Sequence, residues 1–170
     1  MQHATTILEP SIVHLDRQPT VAVRLQPAWA DTDMPALFDR CLPMIGERLR
    51  SAGVHPGIPF ARYFRFGPSG VDVEIGVPVE RRPDGIASLS EVAPGEVGTS
   101  ELPGGLAARA VHVGPYPTLS ATYDALHDWI GEQRNVAALD GPWESYLDNP
   151  AEVADVATLR TEVLWPLREA

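Results

Sequence analysis

The sequence predicts an α+β fold: an antiparallel sheet with two helices on one face, built from two related halves. Three observations predict it. Apolar and polar residues alternate in several short runs, most plainly in VDVEIGVPV (71–79) and LRTEVLWPL (159–167), which is the period of half-buried strands. Two longer segments repeat apolar residues every three or four positions, as amphipathic helices do. The third observation is internal repetition. V-E-I-G-V-P-V and T-E-V-L-W-P-L each carry a glutamate followed four residues later by a proline, and those glutamates, Glu74 and Glu162, stand 88 positions apart. PFARY (59–63) answers PWESY (142–146) at an offset of 83, and VAVR (21–24) answers LAAR (106–109) at 85. Three pairs in one order, all at about half the chain length, point to a duplication.

Each half then reads as a strand hairpin, a helix and two strands. SIVHLDRQPTVAVRLQ (11–26) supplies two strands around a polar turn at 16–19. In DTDMPALFDRCLPMIGERLRSAG (31–53), Leu37, Phe38, Cys41, Ile45 and Leu49 recur at helical spacing. Asp33 suits the N-cap, Pro35 the first turn and Gly53 the stop, while Pro43 should kink the helix. Strands follow near 61–66 and 71–79, and ERRPDGIASLSEVAPG (80–95) links the halves. The second half opens with a hairpin of 96–102 and 106–113 across PGG. Its helix runs over about 118–133, with Leu119, Thr122, Tyr123, Leu126, Trp129 and Ile130 on the buried stripe. DGPWESYLDNP (140–150) leads to the closing strand.

At 170 residues and 44% hydrophobic content, one domain spanning 1–170 is expected, with halves at about 1–85 and 86–170 sharing a core, because 85 residues alone are marginal. A net charge of −10 argues against direct nucleic-acid binding, which needs clustered cations to neutralise phosphates. All 13 basic residues are arginines, so Schiff-base chemistry and a phosphate-loop lysine are excluded. The single cysteine, Cys41, rules out an internal disulfide and reads as a buried, inert thiol. None of the histidines (His3, His14, His55, His112, His127) stands at metal-ligand spacing from Cys41 or from another histidine, and no metal or cofactor is expected. The N-terminus lacks a basic-then-apolar signal pattern and no run approaches membrane-spanning length, so the expected location is cytoplasmic and away from membranes.

The chemistry lies in carboxylates that interrupt apolar strands. Alternation in LRTEVLWPL puts Leu159, Thr161, Val163, Trp165 and Leu167 on a core face and Glu162 on the other. In PWESY it separates Trp143 and Ser145 from Glu144 and Tyr146. In FARYFRF it makes Phe60, Phe64 and Phe66 a core-like set and leaves Ala61 and Tyr63 opposite. By the repeat, Tyr63 answers Tyr146 and Glu74 answers Glu162. The expectation is that Glu74, Glu144, Glu162, Tyr63 and Tyr146 gather on the sheet face away from the helices, with Tyr116 and Trp29 at its rim and Trp143 nearby. Carboxylates among aromatic rings suit a large organic cation. The competing reading places these glutamates on a solvated face, paired with arginines such as Arg160.

HVGPYPTL (112–119) before the second helix, PWESYLDNP (142–150) after it and LRTEVLWPL at the end together resemble the GyrI-like small-molecule-binding domain, the effector-binding module of multidrug-sensing transcription regulators. The resemblance implies a duplicated strand–helix–strand–strand (SHS2-type) module with a pseudo-twofold axis and a ligand cleft. It also implies binding of bulky, lipophilic, aromatic and often cationic small molecules, and carries the family's glutamates onto Glu144 and Glu162. With only about ten residues before the first strand, no DNA-binding domain is expected, so a stand-alone binder is the first reading. Two alternatives remain: a hydrolase of cyclopropane-bearing DNA-alkylating natural products using Glu144 or Glu162 as acid or base, and a protein-interaction module of the gyrase-inhibitor type.

Overall fold

The computed structural model describes residues 6–170; His3 lies outside them. In order, the described residues form β1 (Thr6–Leu15), β2 (Gln18–Leu25), α1 (Met34–Ala52), β3 (Phe60–Gly67), β4 (Gly70–Pro78), β5 (Val97–Leu102), β6 (Gly105–Val113), α2 (Leu119–Glu132), β7 (Val136–Ala138), β8 (Trp143–Tyr146) and β9 (Arg160–Glu169). The α+β class and the two helices are as the sequence predicts. The chain divides into two compact units: a central unit of Asp16–Gly104, and a terminal unit joining Gly105–Ala170 to the N-terminal segment through Leu15. No helix among the described residues is long and apolar enough to cross a membrane.

The central unit orders its strands β3-β4-β2-β5, all antiparallel. Val21, Val23, Val73 and Ile75 are fully buried on one face, which α1 covers with Leu37, Cys41, Ile45 and Leu49. Asp33 caps α1 by accepting from the Ala36 amide at 3.2 Å, a bond type that contributes about 1 kcal/mol. Gly53 ends it with φ of 67°, where a residue with a Cβ would be strained. The segment thought of as a linker covers the other face. Its Ser88–Glu91 capping box forms a single 3₁₀ turn, and the Thr99 amide donates to Ala87 O at 2.8 Å. Gly98 lies beneath it, where a Cβ would come within 2.8 Å of the Leu89 nitrogen.

The terminal unit orders its strands β1-β6-β9-β8, with β7 also on β9. Ala108, Ala110, Val163 and Leu167 pack against Leu119, Leu126 and Ile130 of α2. The expected hairpins do not form. β1 pairs with β6, Ile12 opposite Ala108, and β2 pairs with β5, Val21 opposite Thr99. Alternation reports which face of a strand is buried and leaves its partner open. The Asp16–Arg17 connection also lacks the Asn-Gly or Asp-Gly pair that drives a two-residue hairpin.

Candidate functional site

Register decides where each carboxylate points, because residues directly opposite in paired strands share a face. In the terminal unit Ala110 opposes Val163, and Val163 opposes Glu144; one step along, His112 opposes Thr161, and Thr161 opposes Tyr146. Ala110 and Val163 belong to the core under α2. Glu144 and Tyr146 therefore lie on the helix-covered face, and the expectation that they lie away from the helices is corrected. Glu144 is only 4% exposed. The Tyr146 hydroxyl donates to its Oε2 at 3.0 Å. The Tyr116 ring meets the Tyr146 ring edge-on, at 5.7 Å between centroids and 80° between planes.

Tyr116 leaves from the short turn before α2. Burial first, then the negative charges of Asp148 and Glu144, push its phenol above the ordinary tyrosine value, so it stays a protonated donor. Asp148 is itself held by a two-pronged bond to Arg160, at 2.9 and 3.0 Å, with the Arg160 amide adding a third at 2.9 Å. That guanidinium holds the Asp148 carboxyl below the usual carboxylate range.

Glu162 lies on the other face, as alternation predicts, apart from Glu144 and Tyr146. It opposes Val111 and Ser145 and accepts from Arg109 Nε at 2.7 Å. Trp143, opposite Leu164, shares that second face and is buried. Glu144 and Glu162 thus point to opposite sides of one sheet and cannot clamp one group together. Arg109, rather than Arg160, is the arginine that Glu162 meets.

In the central unit Tyr63 opposes Val73 and Ala61 opposes Ile75, which places both on the α1 face. A register shift between Tyr63 and Arg65 then turns Phe66 onto the same face, opposite Val71. Phe66, read from the sequence as core, is 62% exposed. It stacks on Tyr63 at 5.3 Å and on Trp29 at 6.5 Å, and the Trp29 indole N–H is tied to Gly67 O at 2.9 Å. The sequence signal for this turn was the neighbouring FGPSG, whose glycines and proline mark a chain reversal.

Glu74 lies on the opposite face from Tyr63, flanked by Arg24 and Arg62 on adjacent strands. It is 3% exposed and its Oε1 has no hydrogen-bond partner. Burial pushes its carboxyl up, with Ser100, Arg62 and Arg24 opposing. Arg24 forks onto Asp72 at 2.9 and 3.0 Å, and both Arg24 and Arg62 stand over the Phe64 ring, at 4.2 and 4.7 Å. Arg24, Arg62, Asp72 and Phe64 thus surround Glu74 on this face. Among the described residues no group of three or more His, Cys, Asp and Glu is arranged to hold a metal ion.

Compared with families of known proteins, residues 8–168 match the GyrI-like small molecule binding domain. Among solved structures the chain is similar to the C-terminal domain of EcmrR, at 20% identity and a TM-score of 0.74, over 95% of this chain and 98% of that one. In an EcmrR–DNA complex, at 20% identity and a TM-score of 0.75, the likeness again takes in 95% of this chain but only 58% of that one. A hydrolase encoded by lin2189 from Listeria innocua matches at 13% identity and a TM-score of 0.63, over 94% of this chain and 92% of that one. SAV2435 bound to tetraphenylphosphonium matches at 14% identity and a TM-score of 0.59, over 95% and 94%. At these identities the structural likenesses show the fold. No match is found among curated proteins.

Proposed function

The chain belongs to the GyrI-like small-molecule-binding domain family over residues 8–168, and from that premise we propose that it binds bulky, lipophilic, aromatic cations at Glu144, Tyr146 and Tyr116. One observation carries the proposal: a carboxylate 4% exposed that accepts from the Tyr146 phenol, with the Tyr116 ring set edge-on against the Tyr146 ring. A carboxylate beside aromatic rings attracts a soft organic cation, whose apolar groups pack on the rings, each ring worth about 0.5–2 kcal/mol. Tyr63, Phe66 and Trp29 are proposed as stacking surfaces for flat ligands on the central unit. The cation bound by SAV2435 belongs to the same chemical class, which supports the choice of probe. The reading is of a cytoplasmic, multidrug-type binder, with no cofactor.

Titration of tetraphenylphosphonium and of a rhodamine-type dye against wild type, Glu144→Gln and Glu162→Gln tests it. Glu144→Gln should weaken cation binding by about 1–3 kcal/mol, the range for a charged hydrogen-bonding partner, and affect a neutral analogue of the dye much less. Glu162→Gln, on the opposite face, should leave cation binding within about 0.5 kcal/mol of wild type. Equal losses from both variants, or for charged and neutral ligands alike, would defeat the proposal.

A hydrolytic reading is supported by one observation, the Tyr146 phenol donating to the Glu144 carboxylate at 3.0 Å, a proton donor next to a base. Since Glu162 faces away, Glu144 would act without a second glutamate. Incubation with a cyclopropane-bearing alkylator should then add the mass of one water, and an unchanged mass leaves binding alone.

A further inference from the structure

His112 lies outside the contacts proposed for the ligand, yet it is fully buried and both ring nitrogens are engaged. Its Nδ1 lies 2.7 Å from Thr122 Oγ1 on α2. Its Nε2 lies 3.1 Å from Thr118 Oγ1 and 3.2 Å from Pro115 O. The Thr118 hydroxyl donates its own hydrogen to Pro115 O at 2.7 Å, so toward the imidazole it can only accept. Nε2 therefore carries the ring hydrogen, and Nδ1 accepts from Thr122. Burial pushes the His112 pKa below its ordinary value, which keeps the ring neutral and this pattern intact at neutral pH.

The consequence is mechanical. His112 sits in a strand held on both sides, opposite Ile7 and Thr161. Its two nitrogens bolt that strand to the 115–118 turn and to the first turns of α2. Tyr116 stands inside the clamped turn, one residue after Pro115, and its ring meets edge-on the ring of Tyr146, which shares the register row of His112 and Thr161. An edge-on ring contact holds only at close range, so a small shift of the turn removes it.

We infer that His112 is the positioning residue of the binding site, clamping the 115–118 turn so that Tyr116 meets Tyr146 and stands beside Glu144. This rests on the binding proposed at Glu144, and it adds a role outside the contact residues. His112→Leu fills the same space without bonding, and His112→Gln returns an N–H donor near the place of Nε2. Thr118→Val breaks the same clamp from the other side should His112→Leu fail to fold.

Two measurements separate the outcomes. In ¹³C-tyrosine-labelled protein the Tyr116 ring resonance, shifted by the Tyr146 ring, should move toward an exposed value in His112→Leu or Thr118→Val while that of Tyr63 stays put. Tetraphenylphosphonium should bind His112→Leu about tenfold more weakly, His112→Gln within about threefold of wild type, and His112→Leu/Tyr116→Ala no more weakly than Tyr116→Ala alone. An unmoved Tyr116 resonance overturns the inference, as do losses from His112→Leu and Tyr116→Ala that add in full. If wild type does not bind tetraphenylphosphonium, the binding proposal fails, and the Tyr116 resonance still decides whether His112 positions the ring.

Discussion

Three glutamates with the same sequence signature, a carboxylate inside an apolar strand, meet three different environments. Glu162 is matched by Arg109 at 2.7 Å, Glu144 by the Tyr146 phenol at 3.0 Å, and Glu74 is buried with one oxygen unbonded. Glu74 gives the clearest test at this scale. Its folded pKa lies above the ordinary value, mainly through burial, so the fold favours the protonated form. The stability this confers is fully present below the unfolded carboxyl pKa, about 4.3, and is lost as pH rises through the folded value. Glutamine keeps the shape and cannot ionise. Glu74→Gln should therefore be more stable than wild type near pH 8, with the difference closing toward pH 4. Urea unfolding at the two pH values measures it. A variant less stable than wild type at pH 8 would mean that Arg24 and Arg62 outweigh burial.

Elements with one wet face were legible in the sequence, and elements buried on both faces were not. The stripe of α1, its Asp33 cap and its Gly53 stop appear where spacing and cap chemistry put them, because each depends on neighbours within a few residues. β9 is the exception: Thr161, Val163 and Leu167 take the core face as alternation predicts, although Leu164 and Pro166 are buried on the other. In β8, Trp143 and Glu144 are both buried, so hydropathy does not say which side faces α2. Only the register against Val163 does, and that is a long-range fact. In β3 the shift after Tyr63 breaks the parity on which Phe66 was read as core. The 80–95 segment hid its role because it is held by backbone bonds, Thr99 N to Ala87 O and Gly95 N to Arg24 O, and by the close approach of Leu89 to Gly98, none of which leaves a hydropathy signal. Gly98→Ala should lift this segment. The new methyl meets Leu89 backbone, which cannot rotate away, and a loss of about 1–3 kcal/mol is expected. Limited proteolysis should then cut between Ile86 and Gly95 sooner than in wild type, and an unchanged cleavage rate would show the segment is anchored elsewhere.

At the scale of the whole chain, the duplication visible in three short echoes is not a simple tandem of hairpin-first halves, because the N-terminal strand belongs with β6 and its neighbour β2 with β5. The terminal unit is therefore closed by a segment from the other end of the sequence. Its edge depends on contacts between residues about a hundred positions apart, which form late and carry a large loop-closure entropy. That pairing can be tested covalently in the intact chain. In a Cys41→Ser background, Ile12→Cys and Ala108→Cys stand directly opposite each other across β1 and β6, where facing Cβ atoms are about 4.5–5.5 Å apart and a disulfide needs only a small adjustment. His14→Cys with Val21→Cys, which face each other in the hairpin that local reading expects across 16–19, should stay reduced. Because the Ile12–Ala108 bridge closes a loop of roughly a hundred residues, it should stabilise the oxidised protein by about 2–4 kcal/mol over the reduced form. Non-reducing electrophoresis and urea unfolding read the two results. Oxidation of the 14–21 pair in preference to the 12–108 pair would restore the hairpin and remove β1 from the terminal unit.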